Sequence, residues 1–122
     1  MYITNEKDLN SATPLPYVDR KLISGDNVMF CIYRFEPGAD FPCHTHPAEQ
    51  ITYIVKGPWY LKVGEKEELV RVETGTLAVF EPNFPHGGKS AGCEAVCIDA
   101  WSPIREDLLK EAKVIHFGKE QK

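Results

Sequence analysis

The chain has 122 residues, enough for one domain and too few for two. Hydrophobic residues make up 43% and charged residues 26%, a globular balance that excludes a disordered or fibrous chain. The net charge is −4 and no run of Lys or Arg exceeds two neighbours, so no nucleic-acid surface is expected.

Apolar runs are a handful of residues long, far short of a membrane span, so no membrane partner is expected. The opening MYITNEKDLN carries no apolar signal core, and Cys31, Cys43, Cys93 and Cys97 lack the regular turn spacing of a disulfide scaffold. Reduced thiols in a cytoplasmic protein are expected.

In chain order, residues 1–19, with Thr13-Pro14-Leu15-Pro16, read as an extended arm, and residues 20–122 as a single domain. Val28 to Phe35 reads as a strand buried largely on both faces. Ile51–Val55 and Trp59–Val63 flank a Gly57-Pro58 bend. Leu69–Val72, Thr76–Phe80 and Ala95–Trp101 follow as further short strands. The periodicity is mostly two, which predicts an all-β sandwich or barrel. One segment departs from it. Ser102-Pro103 offers a cap and a first helical position, and Ile104 to Ala112 reads as a short C-terminal helix packing Ile104, Leu108 and Leu109.

The histidines carry the chemistry. His44 and His46 stand two apart, so a strand would project both to one side. His86 follows the turn Glu81-Pro82-Asn83-Phe84-Pro85 and can face back toward that pair. Gln50 shares the parity of the first two histidines and Glu49 does not, although a turn at Pro47-Ala48 would break the count. Imidazole is the common neutral ligand of first-row transition metals. His116 stands alone and reads as an ordinary histidine.

These residues resemble the cupin superfamily. Gly38, His44, His46 and Gly57 hold the places of its first motif, with Gln50 where that motif has Glu; Gly75 and His86 hold two places of its second. In that second motif Glu81, Asn83 and Ser90 replace Pro, Gly and Asn, and Asn tolerates positive φ nearly as Gly does. The resemblance covers residues 20 to 117 and implies a cupin-type double-stranded β-helix, a jelly-roll barrel. It implies the metal set His44, His46, Gln50 and His86 around one divalent transition metal: nickel, zinc, iron, manganese or cobalt. A neutral Gln50 leaves the cation its full charge, which favours Lewis-acid chemistry over oxygen activation.

Asp99, Trp101 and Cys97 share one face of the last strand. If Val96, Ile98 and Ala100 pack the core between the sheets, this polar set lines the barrel cavity. The run from Asp99 through Trp101-Ser102-Pro103 to Arg105 is similar to the closing segment of the pectin-degradation cupins that linearise 4,5-unsaturated uronates, with Trp101 where that group has Phe. His44 to Gln50, and Arg20-Lys21 before Gly25, also fit that group. The resemblance implies a metal-dependent isomerase or lyase on a small carboxylated or sugar-like substrate. Asp99 would move a proton, Arg105 would hold the carboxylate and Trp101 would shape the pocket. The alternatives are a cupin dioxygenase with non-haem iron and a non-catalytic small-molecule-binding or sensing cupin. Tyr53 and Val55 face away from Gln50, so a homodimer formed by sheet-to-sheet packing is expected.

Overall fold

The computed structural model describes residues 1–110 and the backbone of residues 115–116. Two antiparallel sheets face each other around the interior, so the fold is all-β and of the jelly-roll type. The larger sheet runs β1 (Ala12–Leu15), β2 (Val18–Ser24), β3 (Met29–Phe35), β10 (Ala95–Ser102), β5 (Glu49–Lys56) and β8 (Leu77–Phe80), with β11 (Ile115–His116) pairing parallel to β2. The smaller sheet runs β4 (Asp40–His44), β9 (His86–Ser90), β6 (Trp59–Val63) and β7 (Glu68–Val72). Part of the expected arm is therefore sheet: β1 lies within residues 1–19 and pairs with β2, Ala12 opposite Arg20 and Leu15 opposite Val18.

Burial alternates strictly along β2, β3 and β10. Met29, Cys31, Tyr33 and Phe35 point inward while Phe30 and Arg34 are exposed, which corrects the expectation of a strand buried on both faces. Such alternation belongs to a sheet with one packed face. The same holds for β10, where Ala95, Cys97, Asp99 and Trp101 are buried and Val96, Ile98 and Ala100 are only half-covered. Core and cavity thus share the inner face, and Val96, Ile98 and Ala100 lie on the outer one. Phe35 stacks on Trp59 across the sheets with ring centroids 4.1 Å apart.

Three further strands escaped the sequence reading, each for a chemical reason. In β2 the inward set Val18, Arg20, Leu22 and Ser24 includes a charge, which blurs the apolar alternation. β4 contains Pro42, tolerable because β4 is an edge strand. β9 contains Gly87-Gly88, residues depleted in strands. Here they are needed: a Cβ on Gly87 would lie 2.7 Å from the Phe41 carbonyl oxygen, and one on Gly88 would lie 2.4 Å from Trp59 Nε1.

The C-terminal helix starts later than expected. Ser102 ends β10 and its hydroxyl donates to the Asn27 carbonyl at 2.9 Å, so it caps nothing. The helix α1 is Glu106–Leu109, with Arg105 at its N-cap position. Leu108 is buried, and Ile104 and Leu109 pack beside it on the core. Ala112 lies outside the described residues. All four cysteines are free, Cys31 and Cys97 buried and Cys43 and Cys93 half-buried. No helix among the described residues is long and apolar enough to cross a membrane.

Candidate metal and substrate site

The three histidines arrive from two strands and a loop. His44 ends β4 and pairs in register with His86, the first residue of β9. His46 lies beyond the end of β4, so strand parity alone does not explain its convergence. The loop before β9 completes the placement: Asn83 takes φ +64 and its N–H donates to the His46 carbonyl at 2.8 Å. The ligand atoms of His44, His46 and His86 all lie within 4.8 Å of one another.

Each imidazole is oriented by its own backbone neighbourhood. Nδ1 of His44, His46 and His86 meets the carbonyl oxygens of Pro42, Ala48 and Phe84 at 3.0, 2.9 and 2.7 Å respectively. A carbonyl only accepts, so each Nδ1 carries the ring proton and each Nε2 keeps its lone pair. Burial lowers the pKa of all three rings, that of His86 to about 4, so they are neutral near pH 7.

Gln50, on β5, sends its side chain into the same space, while Glu49 faces solvent on the opposite side of the strand. The Gln50 Oε1 atom lies 3.1 Å from His46 Nε2 and 3.1 Å from His86 Nε2. With Nδ1 protonated, those contacts bring lone pairs against lone pairs. Four acceptors converging in a buried pocket are relieved by a cation. The donor set, three imidazoles and an amide oxygen, suits a first-row divalent transition metal.

The rest of the pocket carries a second chemistry. Asp99 is buried beneath the cluster, and Thr52 donates to its Oδ1 at 2.7 Å. Burial raises the Asp99 pKa to about 6, opposed by the Thr52 hydrogen bond and by the Arg105 charge. A carboxyl poised there exchanges protons close to neutral pH. Arg105 lies over the indole of Trp101, 5.1 Å from the ring centroid, and Nη2 pairs with Asp107 at 2.9 Å. Its side chain is only 11% exposed, and its buried Nε–H has no acceptor among the described residues. Arg105 lines the pocket, so its guanidinium is a cationic partner for an oxyanion entering there. Phe41, Tyr33, Trp59 and Phe80 supply apolar walls.

Sequence reasoning missed Thr52 and the buried Arg20–Tyr33 pair, in which Arg20 Nη1 donates to the tyrosine oxygen at 3.2 Å. The period-two count from Gln50 does put Thr52 on the inner face, a signal that was available. Cys43, next to His44 in the chain, donates its thiol to the Gly64 carbonyl at 3.8 Å, and burial raises its pKa, which keeps it a thiol.

The family model for the cupin domain matches residues 31–100. The pectin degradation protein KdgF of Dickeya dadantii (strain 3937) is 35% identical over 96 residues, covering 75% of this chain and 84% of that one. Among solved structures, KdgF from Halomonas sp. superposes with a TM-score of 0.76 at 24% identity, covering 85% of this chain and 96% of the other. An RmlC-like cupin from Shewanella frigidimarina NCIMB 400 superposes with a TM-score of 0.79 at 21% identity, covering 88% and 96%. The chain belongs to the cupin family and is KdgF-like within it.

Proposed function

We propose that the chain is a metal-dependent isomerase that opens the ring of a small unsaturated uronate. The observation that carries the reading is the shared cavity: Asp99, with its pKa raised to about 6, lines one pocket with His44, Gln50, His86 and the Arg105 guanidinium, and His46 Nε2 converges on Gln50 Oε1 beside them. The similarity to a pectin degradation protein supports the substrate class.

When bound, a divalent ion at the four acceptors supplies Lewis acidity toward a substrate hydroxyl or carbonyl oxygen. Arg105 holds the substrate carboxylate, and the Trp101 ring against it fixes the plane of approach. Asp99, ionised near neutral pH, accepts the proton of the ring hydroxyl as the ring C–O bond opens. The bonding pair leaves with the ring oxygen as an enolate, and Asp99 returns the proton to its carbon, giving the ketone and restoring the carboxylate. The step is an isomerisation, with no atom gained or lost. The apolar walls keep bulk water from the enolate.

The proposal includes a cytoplasmic setting, supported by the four free thiols. It also includes a homodimer, supported by the apolar outer face of the larger sheet. On that face Ile51 pairs with Val79 and Tyr53 with Leu77, all exposed.

The test is the ultraviolet absorbance of unsaturated galacturonate monomer, with metal content measured on protein purified without chelator. Loss of the conjugated chromophore well above the spontaneous rate supports the reading. No acceleration by metal-loaded protein overturns it, and oxygen uptake with an iron-loaded sample would put the oxygenase alternative in its place.

A further inference from the structure

The amide of Gln50 is held at both ends. Its Oε1 accepts from the indole N–H of Trp101 at 2.7 Å, and its Nε2 donates to Thr52 Oγ1 at 2.8 Å. Thr52 Oγ1 in turn donates to Asp99 Oδ1 at 2.7 Å. All four side chains are buried.

A side-chain amide has two orientations that exchange its oxygen and its NH2 group, and only one presents a lone pair to the histidines. The indole can only donate, so it requires the oxygen on its side. The Thr52 hydroxyl has a single proton. Given to the Asp99 carboxylate, it leaves lone pairs that require a donor, which the Gln50 NH2 supplies. Two independent contacts select the same orientation.

We propose that Thr52 and Trp101 are positioning residues that lock the Gln50 amide with Oε1 toward the three imidazoles, and that Thr52 ties this lock to Asp99. The proposal rests on the metal reading above and deepens it. Neither residue ligates: the indole Nε1 has no lone pair to give, and the Thr52 hydroxyl is engaged on both sides. A neutral ligand has no charge to draw it to a cation, so its orientation has to be set by its partners.

The experiment is a cobalt(II) titration of metal-free full-length protein, followed by visible absorption, with circular dichroism reporting the fold. Thr52→Val keeps the shape and removes the hydroxyl; its cobalt Kd should rise about ten- to a hundredfold, with a weaker shift of the cobalt bands. Thr52→Ser keeps the hydroxyl and should restore the wild-type Kd. A folded Thr52→Val protein with wild-type affinity overturns the proposal, as does a Thr52→Ser protein as weak as the valine variant. If the valine variant does not fold, Trp101→Phe decides: a raised Kd supports the lock and an unchanged one overturns it. Wild-type protein that takes up no cobalt overturns the metal reading itself, and this proposal with it, so the two failures are told apart.

Discussion

Trp101 Nε1 donates to Gln50 Oε1 at 2.7 Å across a sequence separation of 51 residues. The contact follows from register, because Trp101 and Gln50 are opposite each other where β10 pairs with β5. One register pair earlier on the same inner face, Asp99 is opposite Thr52, so the amide, the hydroxyl and the carboxylate form a ladder of polar rungs. A slip of β5 by one residue would turn its amide and hydroxyl outward, away from the carboxylate and indole of β10.

Gln50→Glu tests the ladder. The new carboxylate still accepts from Trp101 but offers Thr52 no N–H, and it sets a second negative charge near Asp99. Cobalt should bind more tightly by direct titration. The acidic limb of the activity profile should move above 6, because a like charge raises a carboxyl pKa further. A limb that stays in place would separate Asp99 from Gln50.

Asp99 should dominate the pH dependence of turnover. In the proposed mechanism its ionised form is the proton acceptor, so kcat/KM of the wild-type protein should fall as pH drops through about 6. Asp99→Asn should keep metal and fold while losing about a hundredfold or more in kcat. Full activity in that variant would sink the uronate mechanism.

The same shift predicts a stability effect of opposite sense. An acid whose folded pKa is raised to about 6 from 3.8 costs stability wherever the unfolded chain would be ionised. The cost is absent below pH 3.8, grows between 3.8 and 6, and is complete above 6. Asp99→Asn removes it. Metal-free variant should therefore be more stable than wild type at pH 8, by up to about 3 kcal/mol, and no more stable at pH 4. Urea unfolding at the two pH values measures the difference.

Much of this was legible beforehand, and its limits are physical. His44, His46 and His86 stood out because three imidazoles near Gly and Pro turns are hard to explain by packing. The inward face of β10 was readable by parity from Asp99 and Trp101. Strand pairing was not readable, since register depends on partners distant in sequence, and Thr52 acquires its role only through register. β9 was hidden because Gly87 and Gly88 give up strand propensity for close approach to Phe41 and Trp59. The helix start was misplaced because Ser102 spends its hydroxyl on Asn27, a contact 75 residues away in sequence.

Arg105→Ala should act mainly on binding. The guanidinium touches the Trp101 face and Asp107 and makes no hydrogen bond to His44, His46 or His86, so metal content should stay at the wild-type level. Loss of a charge-assisted contact to a carboxylate should raise KM about ten- to a hundredfold with a smaller fall in kcat. Steady-state kinetics on a uronate and on its uncharged analogue separate the effects: the penalty should appear with the acid alone.

The outer face of the larger sheet yields the last prediction. Leu77 and Val79 are 68% and 66% exposed, and they stand beside Tyr53 and Ile51 on the neighbouring strand. Phe30 and Val55 are exposed on the same sheet. Apolar side chains arranged contiguously on one sheet face are unfavourable in water and are commonly covered by a partner. A second copy offers the self-complementary surface that two-fold symmetry requires. Light scattering at micromolar concentration should therefore give twice the chain mass. Val79→Glu places a charge in the patch beside Ile51 and should give the monomer, with circular dichroism unchanged because the Val79 side chain is exposed. A wild-type protein of monomer mass would leave the face uncovered and overturn the homodimer.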